Sequence, residues 1–168
     1  DVYKRQVAIP RRVQGLSDVK IVKLSVCFGS ASSSSRHVLA LDENGYVWVW
    51  GLNNVGQLGT GDTANSYRQT PQRLPRAYFN NEKIVDVLAM GDTNGWSYAR
   101  SEAGYLYSWG YNNVSQLGLG DTSNRWRPVK ITSWDPIANN GIRKWQGWGY
   151  NSTGSLMILD GNGYLWHC

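Results

Sequence analysis

The chain repeats itself with a period of 59 residues. Residues 43–63 recur at 102–122 with 14 of 21 positions identical, and 161–166 begins a third copy at the same spacing. A repeat of this length is one supersecondary unit that cannot bury its apolar faces alone, so neighbouring copies must stack on one another. The sequence therefore predicts a repeat protein built from stacked units.

Within each copy the apolar residues alternate with a period of two, which is typical of β-strands. In the first copy, residues 37–41 and 46–50 flank a Gly-terminated turn at 42–45, and this arrangement predicts a β-hairpin. Both faces of 46–50 are apolar, which favours a strand lying between two neighbouring sheets. The first copy also carries a Ser-rich insertion at 30–35, which we interpret as a longer loop.

Further strands are predicted on either side of the hairpin. An apolar segment precedes it in each copy, at 20–26, 83–89 and 142–145. The prolines Pro10, Pro71 and Pro128 hold comparable places near the end of each unit. Proline cannot donate to a strand ladder, so these segments are predicted to be outer edge strands.

These boundaries divide the chain. We expect residues 7–19 to end a preceding unit, 20–80 and 81–140 to form the first and second repeats, and 141–168 to form a truncated third repeat. Residues 1–6 resemble the translated sequencing adapter found in metagenomic fragments, and we exclude them from the fold.

The charged residues are few and scattered. Lys and Arg number 17 and Asp and Glu 12, for a net charge of +5, and the basic residues never form a run. This pattern argues against a nucleic-acid partner. No stretch of about 18 apolar residues marks a membrane-spanning helix.

No catalytic or metal-binding constellation is visible. The repeat equivalents of His37 are Trp96 and Ser155, so the histidine is predicted to be structural. Asp62 and Asp121 are better explained by turn closure than by a calcium loop, which needs several closely spaced oxygen ligands. The sequence predicts no enzyme, no metal and no cofactor.

The repeat resembles that of the regulator of chromosome condensation family. The segment Trp50-Gly-Leu-Asn-Asn-Val-Gly-Gln-Leu-Gly59 carries several of the spaced residues of that repeat, and the resemblance covers nearly all of 7–166. It implies an all-β fold: a partial β-propeller with four-stranded antiparallel blades, from a ring of seven. Ser115 in place of Gly56 and Cys168 in place of Trp109 are departures from the pattern.

The resemblance implies structural roles for the repeated positions. In the first copy these are Gly45, Trp50, Gly51, Asn53, Gln57, Leu58, Gly59, Gly61 and Asp62; in the second they are Gly104, Trp109, Gly110, Asn112, Gln116, Leu117, Gly118, Gly120 and Asp121. Because Trp48, Trp50, Trp109 and Trp166 lie in repeat strands, we expect all four in the core.

Five residues between the Gly-rich loops and the following blades are candidates for partner binding. They are Tyr67, Arg68, Trp126, Arg127 and Trp134. Aromatic residues and arginine are enriched in binding hot spots. Packing of the outer strands is the alternative explanation for the same residues.

Three functions remain open. The first is a non-catalytic propeller that binds a protein or a surface glycan through its blade surfaces. The second is an extracellular or phage-tail-like adhesion module. The third is guanine-nucleotide exchange on a small GTPase, the activity of the founding family member, although a fold alone does not fix a function.

Overall fold

The computed structural model describes residues 10–27, 36–62, 67–92, 94–150 and 153–168. The proposed adapter residues 1–6 and the loop at 30–35 lie outside this set. The strands are β1 (Ile21–Val26), β2 (His37–Asp42), β3 (Val47–Leu52), β4 (Tyr67–Arg73), β5 (Ile84–Met90), β6 (Trp96–Ser101), β7 (Leu106–Gly110), β8 (Arg125–Lys130), β9 (Ile142–Tyr150), β10 (Thr153–Asp160) and β11 (Leu165–His167).

The strands form three antiparallel sheets. The first sheet has the order β1-β2-β3-β4, the second β5-β6-β7-β8, and the third β9-β10-β11. Strands β1, β5 and β9 contact one another in turn, so they form the inner edge of the stack. Four-stranded antiparallel sheets stacked in chain order are the blades of a partial β-propeller, and the predicted fold class is confirmed.

The predicted hairpins have the same register in the first two sheets. His37 pairs with Gly51 in the first sheet, and Trp96 pairs with Gly110 at the equivalent place in the second. Both outgoing strands lead into Gly-rich loops. The predicted strand equivalence of 46–50 and 105–109 is therefore confirmed.

Apolar side chains fill the seam between the first and second sheets. The first blade contributes Leu39 and Val49 from its strands and Leu58 from its Gly-rich loop, and the second contributes Tyr107 and Trp109, all fully or almost fully buried. Leu39 and Val49 face one another across β2 and β3, so this face of the first sheet is the one that meets the second.

The indole of Trp109 fixes how the second sheet sits on the first. Its N–H donates to the carbonyl oxygen of Gln57, 2.9 Å away. A Cβ at Gly59 would lie 2.8 Å from the indole nitrogen, so only glycine leaves room for the ring. The repeated Gly of one blade and the repeated Trp of the next therefore form one contact.

The next seam uses the same positions with a different side chain. Cys168 stands where the repeat places tryptophan, and its sulfur lies 3.8 Å from the carbonyl oxygen of Gln116. A Cβ at Gly118 would lie 3.2 Å from that sulfur. The smaller thiol replaces the indole without changing which elements meet.

The prediction that all four strand tryptophans are core residues is correct only for Trp109, which is fully buried. Trp48 and Trp50 are partly buried, and Trp166 is 42% exposed. Trp48 and Trp50 lie on the face of the first sheet that points away from the second, and no sheet of the described residues covers that face. Trp166 lies on β11, whose outer edge has no paired strand in the described part of the chain.

Two local features differ from the sequence-based expectation. A 3-10 helix, Arg76–Phe79, follows β4 and buries Phe79 edge-on against Tyr107, with ring centroids 5.4 Å apart. Pro71 and Pro128 lie in the outer strands β4 and β8, as predicted, whereas Pro10 lies in an irregular segment. Within the described ranges, no helix is long and apolar enough to span a membrane.

Candidate protein-binding surface

A repeated Asp–Arg pair closes each Gly-rich loop onto its outer strand. Arg68 on β4 pairs with Asp62, and Arg125 on β8 pairs with Asp121 at 2.5 Å. Arg68 lies opposite Gly51 and Arg125 opposite Gly110, so the two arginines are equivalent.

This pairing gives one predicted binding residue a structural partner. The hydrogen bond from Arg125 holds the pKa of Asp121 below its ordinary value, so the loop carboxylate stays ionised beside its arginine. Because Arg68 occupies the same position beside Asp62, its charge is matched within the chain. A partner that binds Arg68 would have to compete with Asp62 for its guanidinium.

The loops themselves are held by side-chain amides. The Asn53 carbonyl oxygen accepts from the backbone N–H of Leu58 at 3.1 Å, and the equivalent Asn112 accepts from Leu117 at 2.9 Å. Gln57 and Gln116 each accept from a backbone N–H two residues upstream, at 3.0 Å in both loops. These contacts hold both Gly-rich loops in one conformation.

Trp126 and Arg127 lie where the outer strand of the second sheet crosses the loop of the first. The backbone N–H of Gly61 donates to the Trp126 carbonyl oxygen at 2.8 Å. Trp126 is partly buried, whereas Arg127 is exposed and its guanidinium carbon lies 5.0 Å from the centre of the Tyr78 ring. Stacking of this kind orients a guanidinium without neutralising its charge.

The structure does not bring all five candidate residues to one surface. Tyr67 is 38% exposed at the start of β4. Trp134 is buried in the second core, and its indole N–H donates to the Gly104 carbonyl oxygen at 3.0 Å. A binding surface can therefore include Tyr67, Trp126 and Arg127, which we call the outer-strand surface, whereas Trp134 offers almost no free area.

A buried Cys–His–Ser chain lies at the first seam. His37 Nδ1 is 3.1 Å from Cys27 Sγ, and His37 Nε2 is 2.9 Å from Ser97 Oγ. Burial lowers the pKa of His37 to about 3 and raises the pKa of the Cys27 thiol. A neutral imidazole beside a protonated thiol is a hydrogen-bonded packing group rather than an activated nucleophile.

In the ranges that the structure describes, no group of three or more His, Cys, Asp or Glu side chains is placed to hold a metal ion. The loop aspartates that resemble metal ligands in the sequence, Asp62 and Asp121, are bound to arginines.

Sequence reasoning missed a recurring Asp–Trp pair. The indole N–H of Trp48 donates to Asp42 at 2.9 Å, and that of Trp166 donates to Asp160 at 2.9 Å. The signal was available, since each aspartate stands six residues before its tryptophan in the first and third copies.

Asp86 was also missed, and it connects all three sheets. It accepts from the indole N–H of Trp145 on the third sheet at 2.7 Å and forms an ion pair with Lys23 of the first sheet. Arg100, on its own sheet, lies 3.9 Å away. The signal was available here too, since Lys23, Asp86 and Trp145 each stand fourth in the equivalent segments 20–26, 83–89 and 142–145.

Comparison with known proteins identifies the repeat. A family model described as the regulator of chromosome condensation (RCC1) repeat matches residues 44–93 and 103–138, and a second model of the same description matches 27–57.

Two human proteins share the repeat. The chain is 34% identical over 125 residues to the probable E3 ubiquitin-protein ligase HERC3, which covers 74% of this chain and 11% of that protein. It is 34% identical over 135 residues to the X-linked retinitis pigmentosa GTPase regulator, which covers 80% of this chain and 12% of that protein. The chain thus spans a small part of either relative.

Solved structures give the same fold. Yeast RCC1 (Prp20) bound to Kap60 superposes with a TM-score of 0.66 at 25% identity, over 90% of this chain and 32% of that one. Prp20p from Saccharomyces cerevisiae, described with its binding properties to Gsp1p and histones, gives a TM-score of 0.66 at 26% identity, over 90% of this chain and 33% of that one.

Proposed function

The chain belongs to the RCC1 repeat family, and from this premise we propose that it is a non-catalytic β-propeller module that binds another protein. Its three sheets are successive blades. Blades of this kind hold loops and outer strands rigidly, and such surfaces serve as recognition platforms.

The exposure of the outer-strand surface supports this proposal most directly. Tyr67 is exposed, and Arg127 lies over the Tyr78 ring with no carboxylate at ion-pair distance among the described residues. The carbonyl oxygen of Trp126 binds the loop of the first blade. Tyrosine, tryptophan and arginine are the residue types enriched in hot spots of protein interfaces. Preorganised side chains lose less entropy when they bind.

A protein partner fits the comparisons better than a glycan. One structural neighbour is yeast RCC1 bound to the protein Kap60, and the other was described with its binding to Gsp1p and histones. The comparisons lend no support to a surface glycan or to an adhesion module.

Guanine-nucleotide exchange is a second candidate. It is favoured by the name of one relative, the X-linked retinitis pigmentosa GTPase regulator, of which this chain spans 12%. Release of a fluorescent guanine nucleotide from a small GTPase measures this activity directly. Acceleration by the protein would establish exchange. An unchanged release rate would leave protein binding as the only proposed function.

The test of the binding proposal compares two double variants in affinity capture. Tyr67→Ala with Arg127→Ala removes an aromatic and a cation from the outer-strand surface. Arg143→Ala with Tyr164→Ala removes the same groups from an exposed strand position and an exposed turn of the third blade. We expect at least one protein to be retained by the wild type and by the control and lost by the outer-strand variant. Equal retention of every captured protein by both variants would contradict the assignment of this surface.

A further inference from the structure

In each of the first two blades, a cationic side chain lies over the ring of the tyrosine that follows the hairpin turn. The guanidinium carbons of Arg73 and Arg76 lie 4.6 and 4.2 Å from the centre of the Tyr46 ring. In the second blade, Lys130 Nζ lies 3.1 Å from the centre of the Tyr105 ring. We call Arg73, Arg76 and Lys130 with these two tyrosines the cationic rim.

The repeat places these groups at equivalent positions. Arg73 pairs with Trp48 across β3 and β4, and Lys130 pairs with Tyr107 across β7 and β8. Trp48 and Tyr107 are themselves equivalent, 59 residues apart. The contact between a cation and this tyrosine therefore recurs at the same position in the first two blades.

The cations of the first blade keep their charge. Among the described residues no carboxylate lies within ion-pair distance of Arg73 or Arg76, and Arg76 donates to the Asn44 carbonyl oxygen at 2.6 Å. Lys130 has one carboxylate nearby, Glu82, at 3.9 Å. Two like charges that share one ring repel each other, so an anion bound beside both is favoured.

The ring and the carbonyl oxygen also fix the geometry of the two guanidinium groups. Arg73 is exposed although its guanidinium lies over Tyr46, and the planar N–H edges of a guanidinium match carboxylate oxygens in pairs. The side chains are thus ordered before any partner arrives, which lowers the entropic cost of binding.

We infer that the cationic rim binds an acidic segment of a protein partner. This inference rests on the proposed function only in assigning the partner to the class of proteins, since the residues of the rim are not those of the outer-strand surface. A nucleic acid fits less well, because phosphate backbones are bound by many cations together.

Binding of a fluorescein-labelled oligoglutamate peptide tests this inference at low and at physiological ionic strength. The rim variant is Arg73→Gln with Arg76→Gln. The matched control is Lys20→Gln with Lys83→Gln, which removes the same charge from residues already paired with Glu43 and Glu102. We expect about tenfold weaker binding by the rim variant and less than about twofold by the control.

Two further variants separate geometry from net charge. Tyr46→Leu keeps every charge but removes the platform, so it should weaken binding, whereas Tyr46→Phe keeps the ring and should bind as the wild type does. Thermal unfolding followed by circular dichroism establishes that each variant is folded.

Several results would overturn the inference. They are the absence of oligoglutamate binding at low salt, equal weakening by the rim and control variants, no effect of Tyr46→Leu in a folded protein, and tighter binding of a short DNA duplex. Arg143→Gln, which removes an exposed cation from the third sheet, should leave oligoglutamate binding unchanged. The capture experiment depends on Tyr67 and Arg127 and the peptide experiment on Arg73 and Arg76, so failure of the rim is distinguishable from failure of the proposed function.

Discussion

The imidazole of His37 in the first blade lies 2.9 Å from the hydroxyl of Ser97 in the second. Ser97 Oγ in turn donates to the carbonyl oxygen of Gln57 at 2.8 Å, so it accepts from His37 Nε2, which must carry the proton. Nδ1 then accepts from the Cys27 thiol. Protonating the ring would break this chain inside a core that excludes water.

We expect the free energy of unfolding to depend on pH through His37. Its pKa is about 3 when folded and near 6.5 when unfolded, so the unfolded state binds the proton first. The contribution of the neutral histidine to the free energy of unfolding is complete above about pH 6.5. It decreases by about 1.4 kcal/mol for each pH unit below that value. Urea unfolding of wild type and His37→Gln between pH 7 and 5 measures this; an equal slope in both proteins would place the titrating group elsewhere.

A second prediction concerns the glycine beneath Trp109. Gly59 and Gly120 both have positive φ, 68° and 81°, so alanine at either place is strained by about 1–2 kcal/mol. Only at Gly59 would the new Cβ meet neighbours, Trp109 at 2.8 Å and Pro128 at 3.1 Å.

Gly59→Ala should therefore lower the free energy of unfolding by about 1–3 kcal/mol more than Gly120→Ala. Chemical denaturation of the two variants side by side measures the difference. Equal losses would mean that the indole does not lie against this glycine.

Several features of this fold could be predicted from the repeat alone. Alternation and turn residues located the hairpin of each copy, and the equivalence of 46–50 with 105–109 held because both segments carry the same local pattern. Ser115 was harder to interpret. It adopts φ 63° at the position of Gly56, so the left-handed conformation is kept although the glycine is not.

Other features depend on contacts between copies, which no local pattern reveals. The identical placement of Trp50 and Trp109 in their repeats predicted equal burial, but burial depends on which neighbour covers each face. Arg73 and Arg76 both contact the ring of Tyr46, which lies far earlier in the sequence, so no local pattern revealed these contacts. The burial of Trp134 was not predicted, because the acceptor of its indole N–H, the Gly104 carbonyl oxygen, is distant in the chain.

A third prediction follows from the missed Asp–Trp pair. Asp42 accepts from the backbone N–H groups of Asn44 and Tyr46 and from the Trp48 indole, whereas Ser101, at the same repeat position, accepts from the Tyr105 N–H. Asp42→Ala should cost about 2–3 kcal/mol of folding free energy and Ser101→Ala about 1 kcal/mol. Thermal denaturation of both variants measures the two losses. A smaller loss for Asp42→Ala than for Ser101→Ala would contradict the prediction.

A fourth prediction concerns the isolated chain of 168 residues. Three sheets cannot close a ring, and the outward faces expose Leu24 at 59% on the first sheet and Leu165 at 68% on the third. Exposed apolar faces and open strand edges favour association. Sedimentation velocity should show species that grow with concentration; a monodisperse monomer across the range would show that these blades need no further covering.

Each blade lays the same face on the blade before it, so equivalent residues have different surroundings in this chain. Trp109 is fully buried against the first blade, whereas Trp50 faces outward and is partly buried. Urea denaturation of Trp109→Ala and Trp50→Ala in the 168-residue chain, at low protein concentration, tests the claim most directly. We expect Trp109→Ala to lower the free energy of unfolding by about 3–5 kcal/mol and Trp50→Ala by about 1–2 kcal/mol. Equal losses, or a loss below about 1 kcal/mol for Trp109→Ala, would contradict the stacking order.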